Sequence, residues 1–227
     1  MELVVKDPIE AIKGRRTIRA YLPRPVPKEA LQEVLEVARY SPSWANTQPW
    51  EFAVFGGEVM ETIREALENM AAAQTPPNPD IPAPLFTDKL RQRSRENGLL
   101  LYRSLGITRE DVEKRRRYEL LGTRLFEAPN GIVIYMDRSL GPWSVLDIGL
   151  VLQSIMIAAH SYGLGTSALY NLIRYPEVLR TYLDIPESKK IVCGLAIGYP
   201  DEAAPQNLYE RPRAPLEELA TWHGFPD

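Results

Sequence analysis

The chain has 227 residues, 44% of them hydrophobic and 25% charged, which is the composition of an ordinary globular protein and excludes a disordered or low-complexity chain. With 27 Lys and Arg against 30 Asp and Glu, the net charge of −3 offers no general attraction to nucleic acid or to an anionic membrane, so any anion site has to be local. One core suffices for a chain of this length, and the single Cys193 excludes an intramolecular disulfide and gives no zinc-ligand spacing. Cys193 reads as a small buried hydrophobe. The first seven residues lack the basic start and long apolar run of a signal peptide. The most apolar segment, Val145 to Ala159, is broken by Asp147, Gln153 and Ser154 and is shorter than the ~20 residues of a membrane span, so a cytoplasmic chain with no membrane partner is expected.

In chain order, a short helical start runs from Pro8 to Lys13. Pro27 then opens a helix over Lys28 to Tyr40, with Leu31, Val34, Leu35 and Ala38 on one face and Pro42 as its stop. Trp50 to Phe55 alternates as a strand and leaves into Gly56-Gly57. Ile63, Ala66, Leu67 and Met70 mark the buried face of a second helix, and the proline-rich stretch from Thr75 to Pro84 ends it. That stretch opens an insertion over about 75–126, with helices expected from Thr87 to Leu105 and from Arg109 to Phe126. The second is opened by a capping pattern of Thr108 with Asp111. The Lys114 to Arg117 run lies among Glu110, Asp111, Glu113 and Glu119 and reads as a solvated helix face.

Gly131 to Met136 is a buried strand, and the helix from Ser144 to Ser161 is apolar almost all round, as a helix covered on most sides would be. Gly163 and Gly165 follow that helix, so they end it and lead into a strand over Thr166 to Leu169 rather than forming a dinucleotide loop. A helix from Pro176 to Leu183 and a last core strand over Ile191 to Ile197 follow. An extended tail over about 200–227 carries five prolines and is expected to wrap a surface. The order supports one α+β or α/β domain spanning 1–227.

Many mechanisms lack their residues here. His160 and His223 are the two histidines, and neither forms a metal cluster or a Cys-His pair with Cys193. A nucleophile elbow, a phosphate loop and a Gly-x-Gly-x-x-Gly after a strand are all missing. Any chemistry is therefore expected from a cofactor.

Three clusters remain. Arg15-Arg16-Thr17-Ile18-Arg19 puts three guanidiniums within five residues, each able to fork onto phosphate oxygens, with a hydroxyl donor between them; a solvated patch is the other reading. Ser41-Pro42-Ser43-Trp44-Ala45-Asn46-Thr47-Gln48-Pro49-Trp50 is dense in amides and hydroxyls beside two indoles, which suits a flat heteroaromatic ring or, equally, an ordered turn. Arg211-Pro212-Arg213 in the tail is either a second anion contact or solubilising charge.

Together with Glu127-Ala128-Pro129, Gly163-Leu164-Gly165 and Gly194 to Pro200, these motifs stand in an order and spacing that resembles the nitroreductase family over nearly the whole chain. The resemblance implies an α-β sandwich with a central, mostly antiparallel sheet flanked by helices, in an intertwined homodimer with FMN at the interface. It implies that Arg15, Arg16, Thr17 and Arg19, joined by Arg211 or Arg213, hold the FMN phosphate and ribityl chain. Pro42, Ser43, Trp44 and Asn46 would come from the partner subunit to the flavin ring, and Leu169, Tyr170 and Asn171 would lie beside its reactive edge. Tyr170-Asn171 departs from the Glu-Gly found there in many members. The implied reaction is a ping-pong transfer from NAD(P)H to a small aromatic acceptor, a nitroaromatic or a quinone, with the flavin rather than a side chain carrying the chemistry. The same fold also hosts enoate reduction, reductive dehalogenation, flavin processing and flavin binding without turnover. Arg91, Arg95, Tyr102, Arg103, Arg115 and Tyr118 give the insertion groups that suit an aromatic carboxylate, or a surface ion-pair network.

Overall fold

The computed structural model describes residues 7–225, so the reading of the first residues as lacking a signal peptide falls, apart from Asp7, outside the described residues. An antiparallel sheet in the order β1-β2-β4-β3 forms from Glu51–Gly56 (β1), Asn130–Asp137 (β2), Gly165–Ala168 (β3) and Lys189–Gly198 (β4). Alternation along the strands sends Ile132, Ile134, Met136, Leu195 and Ile197 to one face, against Lys28–Ala38 (α2) and Pro142–Ser161 (α6). Val133, Ile191 and Ala196 go to the other, against Gly57–Ala72 (α3), Tyr170–Ile173 (α7) and Pro176–Leu183 (α8). The α+β sandwich expected from the sequence is what the chain forms. A bulge between Ile134 and Tyr135 leaves Val192 without a partner in β2. Cys193, next to it, is half-buried with its thiol pushed up to about 11 by burial, so it is not a nucleophile.

Helix α6 is longer than the apolar run suggested. Pro142 sits in its first turn, where its missing N–H costs nothing, and Gly163 at φ 72° ends it. There Leu164 N–H bonds Ala159 O (2.8 Å) and Gly163 N–H bonds His160 O (3.1 Å), the paired arrangement of a Schellman stop. Its 20 residues are long and apolar enough to cross a membrane by length and composition alone. In the fold, Ile148, Val151 and Ile155 are buried against the sheet, each worth about 1.5–3 kcal/mol. The opposite side exposes Trp143, Leu146 and Leu150.

The segment after α3 is irregular where the prolines fall, and one carboxylate anchors it. Asp80 accepts from Arg180 (2.6 Å), Arg138 (3.1 Å) and Ile191 N–H (2.8 Å). Burial alone would raise its pKa, but these bonds outweigh that and hold it below the ordinary value. A depressed folded pKa means stability that is present above the unfolded value of about 3.9 and lost as pH falls through the folded one. Asp80→Ala is therefore expected to cost about 3 kcal/mol at pH 7. Urea denaturation should find that gap closing below pH 4, and an equal gap at pH 3 would refute the electrostatic account.

Two helices follow, Asp88–Ser104 (α4) and Val112–Thr123 (α5). The expected helix over 109–126 is shorter at both ends. Asp111 accepts from Thr108 N–H (2.9 Å), so half of the capping pattern forms between the residues read for it, but Asp111 is the N-cap and the helix starts three residues later than read. At the far end Leu125, Phe126 and Glu127 all have φ of 55–57°, a left-handed turn that no helix continues through. Such a turn costs about 1–2 kcal/mol per residue. Arg64 of α3, 3% exposed, offsets it by donating to Arg124 O (3.0 Å) and Ala128 O on either side and pairing with Glu61 and Glu127. Charge-assisted bonds of about 1.5–3 kcal/mol each are large enough to hold it.

Candidate functional site

The first cluster leaves the end of Pro8–Gly14 (α1), which Asp7 caps by accepting from Ile9 N–H (2.9 Å). It then crosses the open edge of β3, where Ile18 N–H donates to Thr166 O (2.9 Å) and Thr17 bridges Thr166 in parallel. Gly165 allows this approach, because a Cβ there would lie 2.5 Å from Ile18 Cγ1. Arg15, Thr17 and Arg19 are half-buried, and Arg16 is exposed.

The tail closes on the same place, as its prolines led us to expect. Asn207, in the short helix Pro205–Leu208 (α9) and 3% exposed, accepts from Arg19 N–H (2.7 Å) and donates to Ala20 O (2.8 Å) and Asp201 O (2.9 Å). Arg211 donates to Thr17 O (2.8 Å) and lies 4.0 Å over the Tyr209 ring, while Arg19 reaches the Tyr209 hydroxyl (3.3 Å). Arg213 is exposed, bonded back to Arg211 O (2.7 Å).

Arg15, Arg16, Arg19, Arg211 and Arg213 are thus brought together, and among the described residues none of them is ion-paired. Burial first, then Arg213, lowers the Arg15 pKa; burial first, with Arg19 and Arg16 contributing, lowers that of Arg211. In both, loss of solvent is the larger cause, and the neighbouring positive charges add to it.

Four of the eight buried side-chain atoms without a hydrogen-bond partner among the described residues belong to this region or to elements beside it. Arg15 Nε, Arg211 Nε, Ser167 Oγ and Tyr118 Oη are all buried and unbonded. Each such orphan costs about 1–3 kcal/mol, and native structures hold few. Burial pushes the Tyr118 hydroxyl up to about 12, so it stays a protonated donor facing Arg19, Tyr209 and Arg211. Convergent donors that outnumber the one carboxylate at the adjoining cavity, Glu202, fit a phosphate monoester, whose several oxygens accept from all sides. A cavity of about 360 Å³ opens beside Arg15 and Arg16, between the end of α1 and Gly163–Thr166.

The second cluster folds as a strained turn. Ala45, Asn46 and Gln48 have φ of 48°, 56° and 46°. Gln48 N–H bonded to Ser43 Oγ (2.9 Å) and Trp44 N–H bonded to the buried Asp147 Oδ1 (3.1 Å) hold it. Backbone strain of this kind, in exposed residues, is found at functional loops. Trp44 is 63% exposed and leans on Trp143, 5.2 Å away; Pro42 and Asn46 are also exposed, and Ser43 is half-buried. This turn sits at the start of α6, whereas Gly14 and Arg15 meet His160 and Gly163 at its end. Asp147 and His160 are thirteen residues apart, about 20 Å along the helix. The first two clusters are therefore not neighbours within one chain.

Leu169 N–H is bonded to Gly194 O (2.8 Å), Tyr170 is 38% exposed, and the Asn171 amide lies against Gly122 of α5. Since α5 also carries Tyr118 to Arg19, this segment and the arginines are joined through one helix. Sequence reasoning did not find Asn207, Tyr209 or Phe126, and took Tyr118 only as one aromatic of the insertion. Nothing local marks any of them, because their contacts with Arg19 span the chain.

A three-layer α+β sandwich, with helices on both faces of one sheet and a cationic, donor-rich edge, defines a class of protein that binds a phosphorylated cofactor. The chain belongs to the nitroreductase family, whose model matches residues 12–199. It is 34% identical to a 4-nitrobenzoate reductase of Pseudomonas putida, over 99% of both chains. It is 36% identical to a nitrobenzene nitroreductase of Ectopseudomonas oleovorans, over 94% of this chain and 95% of that one. Among solved structures, the FMN and NADPH-dependent nitroreductase NfnB from sphigopyxis sp. strain HMH superposes with a TM-score of 0.93 at 32% identity, covering 97% of this chain and all of that one. NfnB from Mycobacterium smegmatis, solved in complex with NADPH, gives 0.89 at 31% identity, over 95% of this chain and 97% of that one.

Proposed function

We propose that this protein is an FMN-dependent nitroreductase that passes electrons from NAD(P)H to a small aromatic acceptor, a nitroarene or a quinone. The observation that carries it is the cluster of guanidiniums without carboxylate partners, surrounded by buried donors that lack acceptors. Relatives named for nitrobenzoate and nitrobenzene, and neighbours named for FMN and NADPH, supply the acceptor class, the cofactor and the donor.

In this reading Arg15, Arg16, Thr17 and Arg19, with Arg211 and Arg213, hold the FMN phosphate and ribityl chain. The Tyr118 hydroxyl donates from the same side. FMN, when bound, supplies two-electron transfer between donor and acceptor. Leu169, Tyr170 and Asn171 border the reacting edge.

We further propose a homodimer in which Pro42, Ser43, Trp44 and Asn46 of one chain reach the flavin held by the other. The 20 Å along α6 supports it, being more than one FMN spans between its phosphate and the ring atoms this turn would touch. Trp143, Leu146 and Leu150 expose an apolar stripe on α6 beside Val37, Tyr40 and Trp44, a patch of the kind that a subunit interface covers. The fold is read as one domain over 1–227, with an insertion at about 75–126 and a tail at about 200–227. Dependence on NAD(P)H, a reductant of the cell interior, supports a cytoplasmic location.

The purified protein is expected to be yellow, to bleach anaerobically with NADPH and to recover its colour on adding nitrobenzene. A colourless protein with no affinity for FMN would end the proposal. Recovery with enoates or halophenols but not with nitroarenes would move it to another reaction of the same fold.

A further inference from the structure

A second cationic cavity, of about 520 Å³, opens between α4 and the turn into α5. Leu99 and Ile107 supply apolar wall, Tyr102 a ring, and Arg103, Arg109 and Arg115 the charge. Three guanidiniums around one cavity are out of proportion in a chain of net charge −3. The exposed side chains of Arg103 and Arg109 have no hydrogen-bond or ion-pair partner among the described residues, and Arg115 lies 4.7 Å over the Tyr102 ring. Nearby acids are engaged elsewhere: Asp111 pairs with Lys114 (3.3 Å) and accepts from Thr108 N–H. Glu110, which also feels Arg115, is held first by the Thr108 hydroxyl.

The cavity is linked to the site already described through a run of rings. Tyr102 meets Tyr118 edge-on with centroids 6.0 Å apart, Tyr118 meets Phe126 at 5.8 Å, and the Arg19 guanidinium lies 6.0 Å from the Phe126 ring. The buried Arg64 fixes Phe126 in this run by holding its left-handed turn.

We propose that this cavity is an anion subsite for one of the reactants, and the proposal rests on the nitroreductase reading. Its volume falls within the range of ligand pockets, its ring and apolar wall suit a flat aromatic body, and its guanidiniums match the fork geometry of a carboxylate or phosphate. Two reactants carry that chemistry: a nitroarene bearing a carboxylate, and the adenosine 2′-phosphate of NADPH.

The test uses the flavin-loaded protein and the variants Arg103→Gln/Arg109→Gln and Arg115→Gln. If the anion is the acceptor's carboxylate, the preference for carboxylated over plain acceptor falls: KM rises about tenfold or more for nitrobenzoate relative to nitrobenzene. If it is the 2′-phosphate, KM rises by as much for NADPH relative to NADH. Either shift supports the subsite, and neither ratio moving beyond twofold overturns it. Bleaching of the parent protein by either NADPH or NADH tests the nitroreductase reading separately. Should the parent turn nothing over, calorimetric titration of benzoate and of adenosine 2′,5′-bisphosphate still decides. Binding of one of them that weakens at least tenfold in the variants supports the subsite, and unchanged or absent binding refutes it.

Discussion

An Arg15→Ala/Arg19→Ala chain is expected to purify without flavin. Each substitution removes charge-assisted bonds to phosphate of about 1.5–3 kcal/mol, so the pair weakens FMN by roughly a hundredfold to ten-thousandfold if the two terms add. The fold should tolerate the change. Among the described residues neither is ion-paired, and the one side-chain hydrogen bond lost there is the 3.3 Å contact from Arg19 to the Tyr209 hydroxyl. Relief of crowding among like charges offsets part of that loss. Lys13→Ala, exposed at the end of α1, is the control and should keep its flavin. Fluorescence titration of FMN into each apoprotein reads the difference. Parent-like affinity in the double variant would mean that the phosphate lies elsewhere.

What the sequence disclosed depended on how local the cause was. Helices α2 and α8 were legible because one apolar stripe recurs along each, and β2 and β4 because short β-branched runs end at turn residues. Helix α5 was misjudged at its end, since nothing between Arg109 and Phe126 announces a left-handed turn. Its cause is Arg64, sixty residues earlier, donating to the Arg124 carbonyl. Asp80 was invisible for the same reason: an acid among prolines reads as loop until Arg180, Arg138 and β4 are beside it.

The candidate site divides in the same way. Arginine-rich runs can be read as an anion site or as solvated charge, and composition does not choose. The anion-site reading proposed above draws its support from three dimensions, where the first and last clusters meet without ion-pairing to a carboxylate among the described residues and leave buried donors unbonded. The Ser41 to Trp50 run was open between ring-binding loop and ordered turn. It is an ordered turn, and its order is what leaves Trp44 and Asn46 exposed.

The shared site is open to a sharper test than affinity, because two differently damaged chains should repair each other. One parent carries Arg15→Ala/Arg19→Ala. The other carries Ser43→Ala/Asn46→Gly, where glycine tolerates the φ of 56° at position 46 and the amide is lost without added backbone strain. Each parent alone has both sites damaged and should turn over poorly. In a twofold dimer with composite sites, a mixed pair concentrates both lesions in one site and leaves the other whole. Random exchange of equal amounts should then restore about one quarter of the parent protein's sites, seen together as bound flavin and as NADPH oxidation with nitrobenzene. If each site is built within one chain, every site in the mixture stays damaged and nothing returns. Absence of recovery, with mixed dimers verified by native mass, would defeat the shared-site reading. The 20 Å along α6 would then have to be crossed within a single subunit.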